Sequence, residues 1–201
     1  MDAARFPRLA HYLDLLPEGI HSYPECRSKG VLFRSAIDGH DLGDVIDRLP
    51  SELRDVILSP PPAGVWMPAV HCDAAFHAVC DRFYPTDQAI RDWSGARTRT
   101  TAKNRVYQRV MRAAGPAMFL RLAEPVHNRM FQRGTVVRIT IEGSQARLVL
   151  THPPHLHITS KHATNVPMLR SLLERVGGED VDVEMRESGP DGALFVASWR
   201  A

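Results

Sequence analysis

The sequence predicts an α+β fold, with a helical N-terminal part followed by a four-stranded antiparallel sheet of sequence order β-β-α-β-β. Two observations predict this class. Apolar residues in the middle of the chain recur at spacings of three and four, whereas from Thr135 onward they recur at every second residue. Glycine-containing turns also join the strands in pairs, and such hairpins imply antiparallel pairing.

The first sixty residues predict short helices. Ala10 to Leu16 has the pattern of a helix that Pro17 ends, while Val31 to Ile37 is an apolar stretch of undecided type. Ser51 is expected to cap a helix that runs to Leu58, and three prolines then form an extended connector. Helical spacing is also present at Leu42, Val45, Ile46 and Leu49.

Four longer helices follow. The first carries an apolar stripe of Cys72, Phe76, Val79 and Phe83, and Pro85 with Asp87 suits the first turn of the next. A third helix is expected to end at Gly115. The fourth contains Pro125, at which we expect a kink or a division into two. The apolar positions of these last two helices are Val106, Val110, Ala113, Phe119, Leu122, Val126 and Met130.

The last third of the chain contains two hairpins separated by a helix. Val137, Ile139 and Ile141 alternate with polar residues, and Gly143-Ser144 suits a two-residue turn into the return strand. A helix is expected from Asn165 until Gly177-Gly178 ends it, and two further strands are joined at Gly189 to Gly192.

Length and composition favour one domain. The 201 residues, 44% of them hydrophobic, are enough for a core without disulfides, and we divide the chain into an extension 1–28, a mainly helical part 29–133 and the β-β-α-β-β unit 134–201. The odd count of three cysteines indicates free buried thiols. Without a signal peptide or a membrane-spanning run, a cytoplasmic protein with no membrane association is expected. The 25 basic and 23 acidic residues disfavour nucleic acid as a partner.

A histidine-rich connection follows the first hairpin, with His152, His155, His157 and His162 inside eleven residues. If Leu156 is extended, His155 and His157 project to the same side, as two imidazoles on one metal do. We therefore note His152, His155 and His157 as metal candidates, for a zinc site or a zinc enzyme. The alternative is an exposed loop whose histidines are hydrated.

Two further groups are of interest. Asp73, His77 and Cys80 share one helix face, and all three are residue types that bind zinc, although a buried cysteine beside a surface Asp–His pair explains them as well. Arg105, Arg109 and Arg112 form a basic stripe within a stretch that lacks acidic residues. Such a stripe could contact an acidic protein partner, a phosphate group or nucleic acid, and the alternative is a solvated helix face.

Motifs of nucleophilic catalysis and of nucleotide binding are absent from the sequence, including G-x-S-x-G and G-x-G-x-x-G. A non-enzymatic protein is therefore preferred.

A pattern spread over Lys29 to Trp199 resembles an uncharacterised family of myxobacterial paralogues. It consists of Tyr84-Pro85 after a helix, a glycine before the first hairpin in Phe131-Gln132-Arg133-Gly134, a helix ending near Gly177, and a closing Val196-Ala197-Ser198-Trp199. That family is in turn distantly similar to haem nitric-oxide/oxygen-binding (H-NOX) domains and to vinyl-reductase-type ligand-binding domains. The resemblance implies a pocket between the helices and the sheet.

The haem-binding group also implies candidate cofactor residues. In that group a helix carries the axial histidine, and a Tyr-x-Ser-x-Arg motif about thirty residues later binds the haem propionates. His127 lies on the corresponding helix, and Ser160 matches the motif, whereas Ile158 replaces the tyrosine and His162 the arginine. Isoleucine cannot make the charge-assisted hydrogen bonds that hold a carboxylate.

The sequence therefore leads to a preferred function and two alternatives. The preferred one is a non-enzymatic binding or regulatory module with a largely apolar pocket, which either takes a small hydrophobic ligand or is filled by side chains. The first alternative is a haem-based gas sensor that uses His127, Ser160 and His162. The second is a zinc protein that uses the loop from His152 to His162.

Overall fold

The structure, a computed structural model, describes residues 2–101 and 105–200. Within these ranges the side chains of residues 99–101, 105–114 and 130–131 lie outside the description. The helical part contains α1 Pro7–Leu15, α2 Gly30–Ile37, α3 Ser51–Leu58, α4 Ala69–Phe83, α5 Asp87–Thr101 and α6 Arg105–Val126. A π-helical turn, His127–Phe131, continues α6.

Helix α4 lies at the centre of the helical part, since its residues 69, 70 and 72–80 are all buried. Apolar side chains surround it from α1, α2 and α3, including Leu9, Phe33 and Leu53. A helix that is buried on all sides is expected to be rich in small and apolar residues, and α4 contains four alanines. The segment 1–28 contributes to this core through Leu9 and Tyr12 of α1.

The C-terminal part has the predicted order of elements. Strands Val136–Glu142 and Gln145–Thr151 are followed by helices α7 Thr159–Ala163 and α8 Asn165–Arg175 and by strands Glu179–Gly189 and Gly192–Arg200. We number these strands β4 to β7, since three short strands precede them. All neighbours are antiparallel, in the order β4-β5-β7-β6. The α+β class and the β-β-α-β-β order are therefore confirmed.

The short strands form a second sheet that the sequence did not predict. They are β1 Arg27–Lys29, β2 Trp66–Pro68 and β3 Gln132–Arg133, in the order β2-β1-β3. Gly134, at a φ of 84°, follows β3, and a Cβ there would lie 2.2 Å from the Cys26 sulfur, so this position requires glycine. This small sheet joins the start of β4 to the helical part.

Helix α6 runs along the free edge of β4. The Asn128 side chain accepts from the Val137 N–H and donates to the Val137 carbonyl, at 2.8 Å each. The Glu124 carboxylate accepts from the Ile139 N–H at 2.7 Å. Side chains therefore satisfy backbone groups of an edge strand that has no neighbouring strand on this side.

Other details differ from the sequence expectations. The stretch 31–37 is helical, as α2, whereas the spacing of residues 42–49 gives only the 3₁₀ turn Ile46–Arg48. Ser51 does not cap α3: Pro50 is at the N-cap position, and the Ser51 hydroxyl donates to Glu52 instead. Gly115, with a φ of 72°, interrupts α6 as expected, and the helix changes to the π turn just after Pro125. Cys26, Cys72 and Cys80 are free and buried, as predicted.

Candidate functional site

The histidine-rich loop between β5 and α7 lies where the helical part meets the sheet. It is fixed to α1 by the Tyr12 hydroxyl, which donates to the Leu156 carbonyl at 3.0 Å, and the Tyr23 hydroxyl donates to the Pro154 carbonyl at 2.8 Å. The chain turns at His155, whose φ is 61°. His157 is buried, whereas His155 lines a surface groove. The His152 ring contacts both His157 and His162, at centroid distances of 4.8 and 5.1 Å, and it is hydrogen-bonded to His162, ten residues away.

One buried hydrogen-bonded group joins α4 to this loop. Nδ1–H of His157 donates to the Asp73 carboxylate at 2.5 Å, and His157 Nε2 lies 3.0 Å from the Thr135 hydroxyl. Lys161 approaches the other carboxylate oxygen at 3.6 Å and lies over the Phe76 ring. The charges of His157 and Lys161 hold the pKa of Asp73 well below its usual value, against the opposing effect of burial. Asp73 is therefore a buried carboxylate that these partners stabilise.

The carboxylate–imidazole–hydroxyl order of Asp73, His157 and Thr135 is also the order in a nucleophilic triad. A nucleophile must reach its substrate, however, and the Thr135 residue is only 2% exposed. Thr135 also does not line the surface groove that contains His155. We therefore regard these three residues as a structural link between the helical part and the sheet.

A second buried group contains the paired histidines. Nδ1 of His152 donates to the Pro153 carbonyl at 2.8 Å, because a carbonyl can only accept. When both rings are neutral, His152 Nε2 accepts from Nε2–H of His162 at 2.9 Å. Nδ1 of His162 then accepts from the Ser188 hydroxyl at 2.9 Å. Burial lowers the pKa of both histidines to about 4, so both rings are neutral near pH 7.

His77 differs from these histidines. It lies fully buried between Tyr12 and Phe76, and neither ring nitrogen has a hydrogen-bond partner in the described part of the chain. Burial lowers its pKa to about 3. The predicted face of Asp73, His77 and Cys80 is therefore wholly inside the protein, and burial raises the pKa of the Cys80 thiol to about 12.

Among the described side chains of residues 2–101 and 105–200, we find no group of three or more histidine, cysteine or carboxylate side chains that is arranged to hold a metal ion. Of the predicted trio, the His152 and His157 rings lie 4.8 Å apart, whereas His155 is not described in contact with either. Both nitrogens of His157 face Asp73 and Thr135, and His155 lies in the groove. A metal on this loop stays a prediction from the sequence.

Haem requires an axial ligand and anchors for its propionates. His127 meets the first requirement in part, since its buried Nε2 has no described partner and burial lowers its pKa to about 4. The anchors are not present: Ile158 has no polar side-chain atom, and His162 is buried between His152 and Ser188. Ser160 lies in the groove, which His127 does not line. The residues therefore do not fit a haem.

A groove of about 490 Å³, which we call the α1 groove, lies between the helices and the sheet. One wall is α1, the second is the end of the histidine-rich loop with the start of α7, and the third is the turn between β6 and β7. It is lined by Arg8, His11, Leu15, His155, Ile158, Thr159, Ser160, Ser188, Gly189 and Pro190. Ser188 belongs to both the groove and the buried histidine pair, and it also lies 3.0 Å from the Thr159 hydroxyl.

Sequence reasoning identified some of these residues and missed others. It selected His152, His157, His162, Ser160 and Asp73, but it grouped them with partners other than those in the structure. Arg8, His11, Thr135 and Ser188 were missed, because single polar residues far apart in the chain carry no local signal. The stripe of Arg105, Arg109 and Arg112 lies outside the described side chains, so a protein partner there stays a prediction. In the described part of the chain, none of the helices is both long enough and apolar enough to cross a bilayer.

Comparisons with known proteins give little further information. No family model matches the chain, and no curated protein matches it. Among solved structures, a mutant of the H-NOX domain of T. Tengcongensis is similar, with a TM-score of 0.43 and 12% identity over 86% of this chain and 95% of that one. This agrees with the distant similarity to H-NOX domains, but a similarity of this size carries no argument about function. No family model supports the resemblance to the myxobacterial paralogues or to vinyl-reductase-type domains.

Proposed function

We propose that this chain is a non-enzymatic small-molecule-binding module of the sensory or regulatory kind, with its ligand in the α1 groove. The observation that carries the proposal is the position of this groove. Its walls come from α1 on the helical side and from the β6–β7 turn on the sheet side. A ligand in this groove would contact both parts of the fold at once. The volume of the groove, about 490 Å³, is within the usual range for small-molecule sites.

A regulatory role requires that binding affects more than the groove itself. Ser188 provides this connection, since the residue lines the groove and its hydroxyl bonds His162 of the buried histidine pair. The histidine-rich loop, which precedes His162, is held to α1 by the hydrogen bond from the Tyr12 hydroxyl to the Leu156 carbonyl. A ligand that moves Ser188 or α1 therefore changes hydrogen bonds between the helical part and the sheet, which is the physical basis of a response to binding.

Catalysis receives less support. The hydroxyl of the triad-like group is buried, and the lining of the groove contains no carboxylate side chain that would orient His11 or His155 as a general base. The lining instead combines apolar surface with hydrogen-bonding groups, as binding sites do.

The experiment is a thermal-shift screen of metabolite-like compounds together with native mass spectrometry of untagged protein. His11→Trp fills the groove with an indole at an exposed position of α1. Asp14→Trp is the matched control, because Asp14 is exposed on the same helix but does not line the groove.

We expect stabilising compounds, or a co-purifying mass, that bind wild type and Asp14→Trp but not His11→Trp. Compounds that stabilise both variants equally would place binding outside the groove. A screen without any stabilising compound, combined with a native mass equal to the chain alone, would refute the proposal.

A further inference from the structure

The polar groups that line the α1 groove share one property, which is that none of them is acidic. Arg8, His11 and His155 are basic, and Thr159, Ser160 and Ser188 carry hydroxyls. Imidazole and hydroxyl groups can donate hydrogen bonds to a ligand, and no carboxylate in the lining competes for these donors or repels a negative charge. The groove is therefore complementary to a ligand with exposed acceptor oxygens.

Ser160 and His155 strengthen this argument. Ser160 lines the groove, and its hydroxyl is a buried polar atom without a hydrogen-bond partner in the described part of the protein, so that a rotation about χ1 toward a ligand in the groove would satisfy it. His155 has a left-handed backbone, with a φ of 61°, and its N–H donates to the Pro190 carbonyl across the groove at 2.6 Å. Such strained conformations of residues other than glycine concentrate at ligand sites.

Arg8 contributes less charge than its position suggests. Its guanidinium donates to the Pro85 carbonyl at 3.0 Å and lies 3.5 and 3.6 Å from the carboxylates of Asp81 and Asp87. These contacts hold Arg8 at the edge of the groove and neutralise much of its charge. Recognition of an anion consequently depends on His11, His155 and Ser160.

The remaining lining is apolar, through Leu15, Ile158 and Pro190. From this combination we infer that the α1 groove binds a small organic acid with an apolar tail, whose carboxylate contacts His11, His155 and Ser160 while the tail covers Leu15 and Ile158. This inference rests on the proposed function and adds the chemical class of the ligand.

The test uses three probes with the same eight-carbon tail: octanoate, 1-octanol and octylamine. Binding to the full chain is measured by isothermal titration calorimetry. We expect octanoate to bind at least about tenfold more tightly than 1-octanol, since hydrogen bonds to a charged group are the stronger ones, and octylamine to bind most weakly. In the double variant His11→Gln/His155→Gln, octanoate should lose this advantage while 1-octanol keeps its affinity. His11→Trp should abolish the binding of both.

The outcomes separate the two proposals. If 1-octanol binds as tightly as octanoate and His11→Trp abolishes both, the groove binds ligands but the preference for acids is wrong. Absence of octanoate binding, or an octanoate advantage that survives in the double variant, likewise overturns the acid inference. Octanoate binding that His11→Trp leaves unchanged would show a different site and would contradict both proposals.

Discussion

The buried histidine pair predicts a loss of stability on mild acidification, from pH 7 to pH 5. His152 and His162 have a pKa of about 4 in the fold and an ordinary value of 6.5 when unfolded. Between these values the unfolded chain binds more protons than the folded one. A histidine with a lowered pKa therefore contributes stability above 6.5 that is lost as the pH falls toward 4.

The magnitude follows from these two values. Integration of the proton-binding difference from pH 7 to pH 5 gives a loss of about 2 kcal/mol for one imidazole and at most about 4 kcal/mol for the pair, since the two rings titrate together. This is large compared with a total stability of about 5–15 kcal/mol. The lowered pKa of Asp73 does not contribute here, because its stabilisation is lost only below its ordinary value of 3.8. His77 and His127 contribute similar losses.

The assay is urea unfolding followed by tryptophan fluorescence at pH 7 and pH 5, for wild type, His162→Gln and the exposed control His11→Gln. Each protein is compared with itself, so the contributions of His77 and His127 cancel between variants. Between pH 7 and pH 5, we expect the free energy of unfolding of His162→Gln to fall by about 2–4 kcal/mol less than that of wild type. His11→Gln should behave as wild type. An unchanged loss in His162→Gln would refute the assignment of the titration to the pair.

Three further predictions follow from the buried groups. Asp73→Asn removes the charged acceptor of His157 and should lower the free energy of unfolding at pH 7 by about 1.5–3 kcal/mol, measured by urea unfolding against the exposed control Asp14→Asn; equal stability of the two would contradict the role of this pair. His77→Leu removes an imidazole whose two nitrogens have no hydrogen-bond partner among the described residues, and it should raise the free energy of unfolding by about 1–3 kcal/mol, seen calorimetrically as a rise in Tm, whereas a fall in Tm would mean that the ring is paired. Protein from haem-replete cells should be colourless and should take up no added hemin, and a Soret band that disappears in His127→Ala would show that the residues do fit a haem.

The change of period from helical to alternating made the main elements of the fold predictable. In β4 and β5 the alternation of Val137, Ile139 and Leu148 comes directly from one face being buried, so the sequence carries the signal. The small sheet could not be found in this way. Its strands have two or three residues, too short to show a period, and they pair Arg27 with Pro68 and with Arg133, far along the chain.

The site was predictable only in its composition. The cluster of histidines after β5 was visible, but the positive φ of His155 was not, and this turn decides which ring is buried and which lines the groove. Likewise, Asp73 was expected to pair with His77 on the same helix, whereas its partner His157 is 84 residues away. Contacts of this kind depend on how the helical part packs on the sheet, which no local pattern records.

The hydrogen bonds of Asn128 and Glu124 to β4 have a consequence for behaviour at high concentration. An uncovered edge strand is a template for strands of other molecules and so for aggregation. Here α6 must detach before a foreign strand can pair with Val137 and Ile139. At the opposite edge, β6 carries exposed charged side chains such as Asp182, Glu184 and Glu187, which a second strand would have to bury. The open four-stranded sheet is thus covered at one edge by side-chain hydrogen bonds and lined at the other by charged side chains, and both features disfavour strand pairing between molecules.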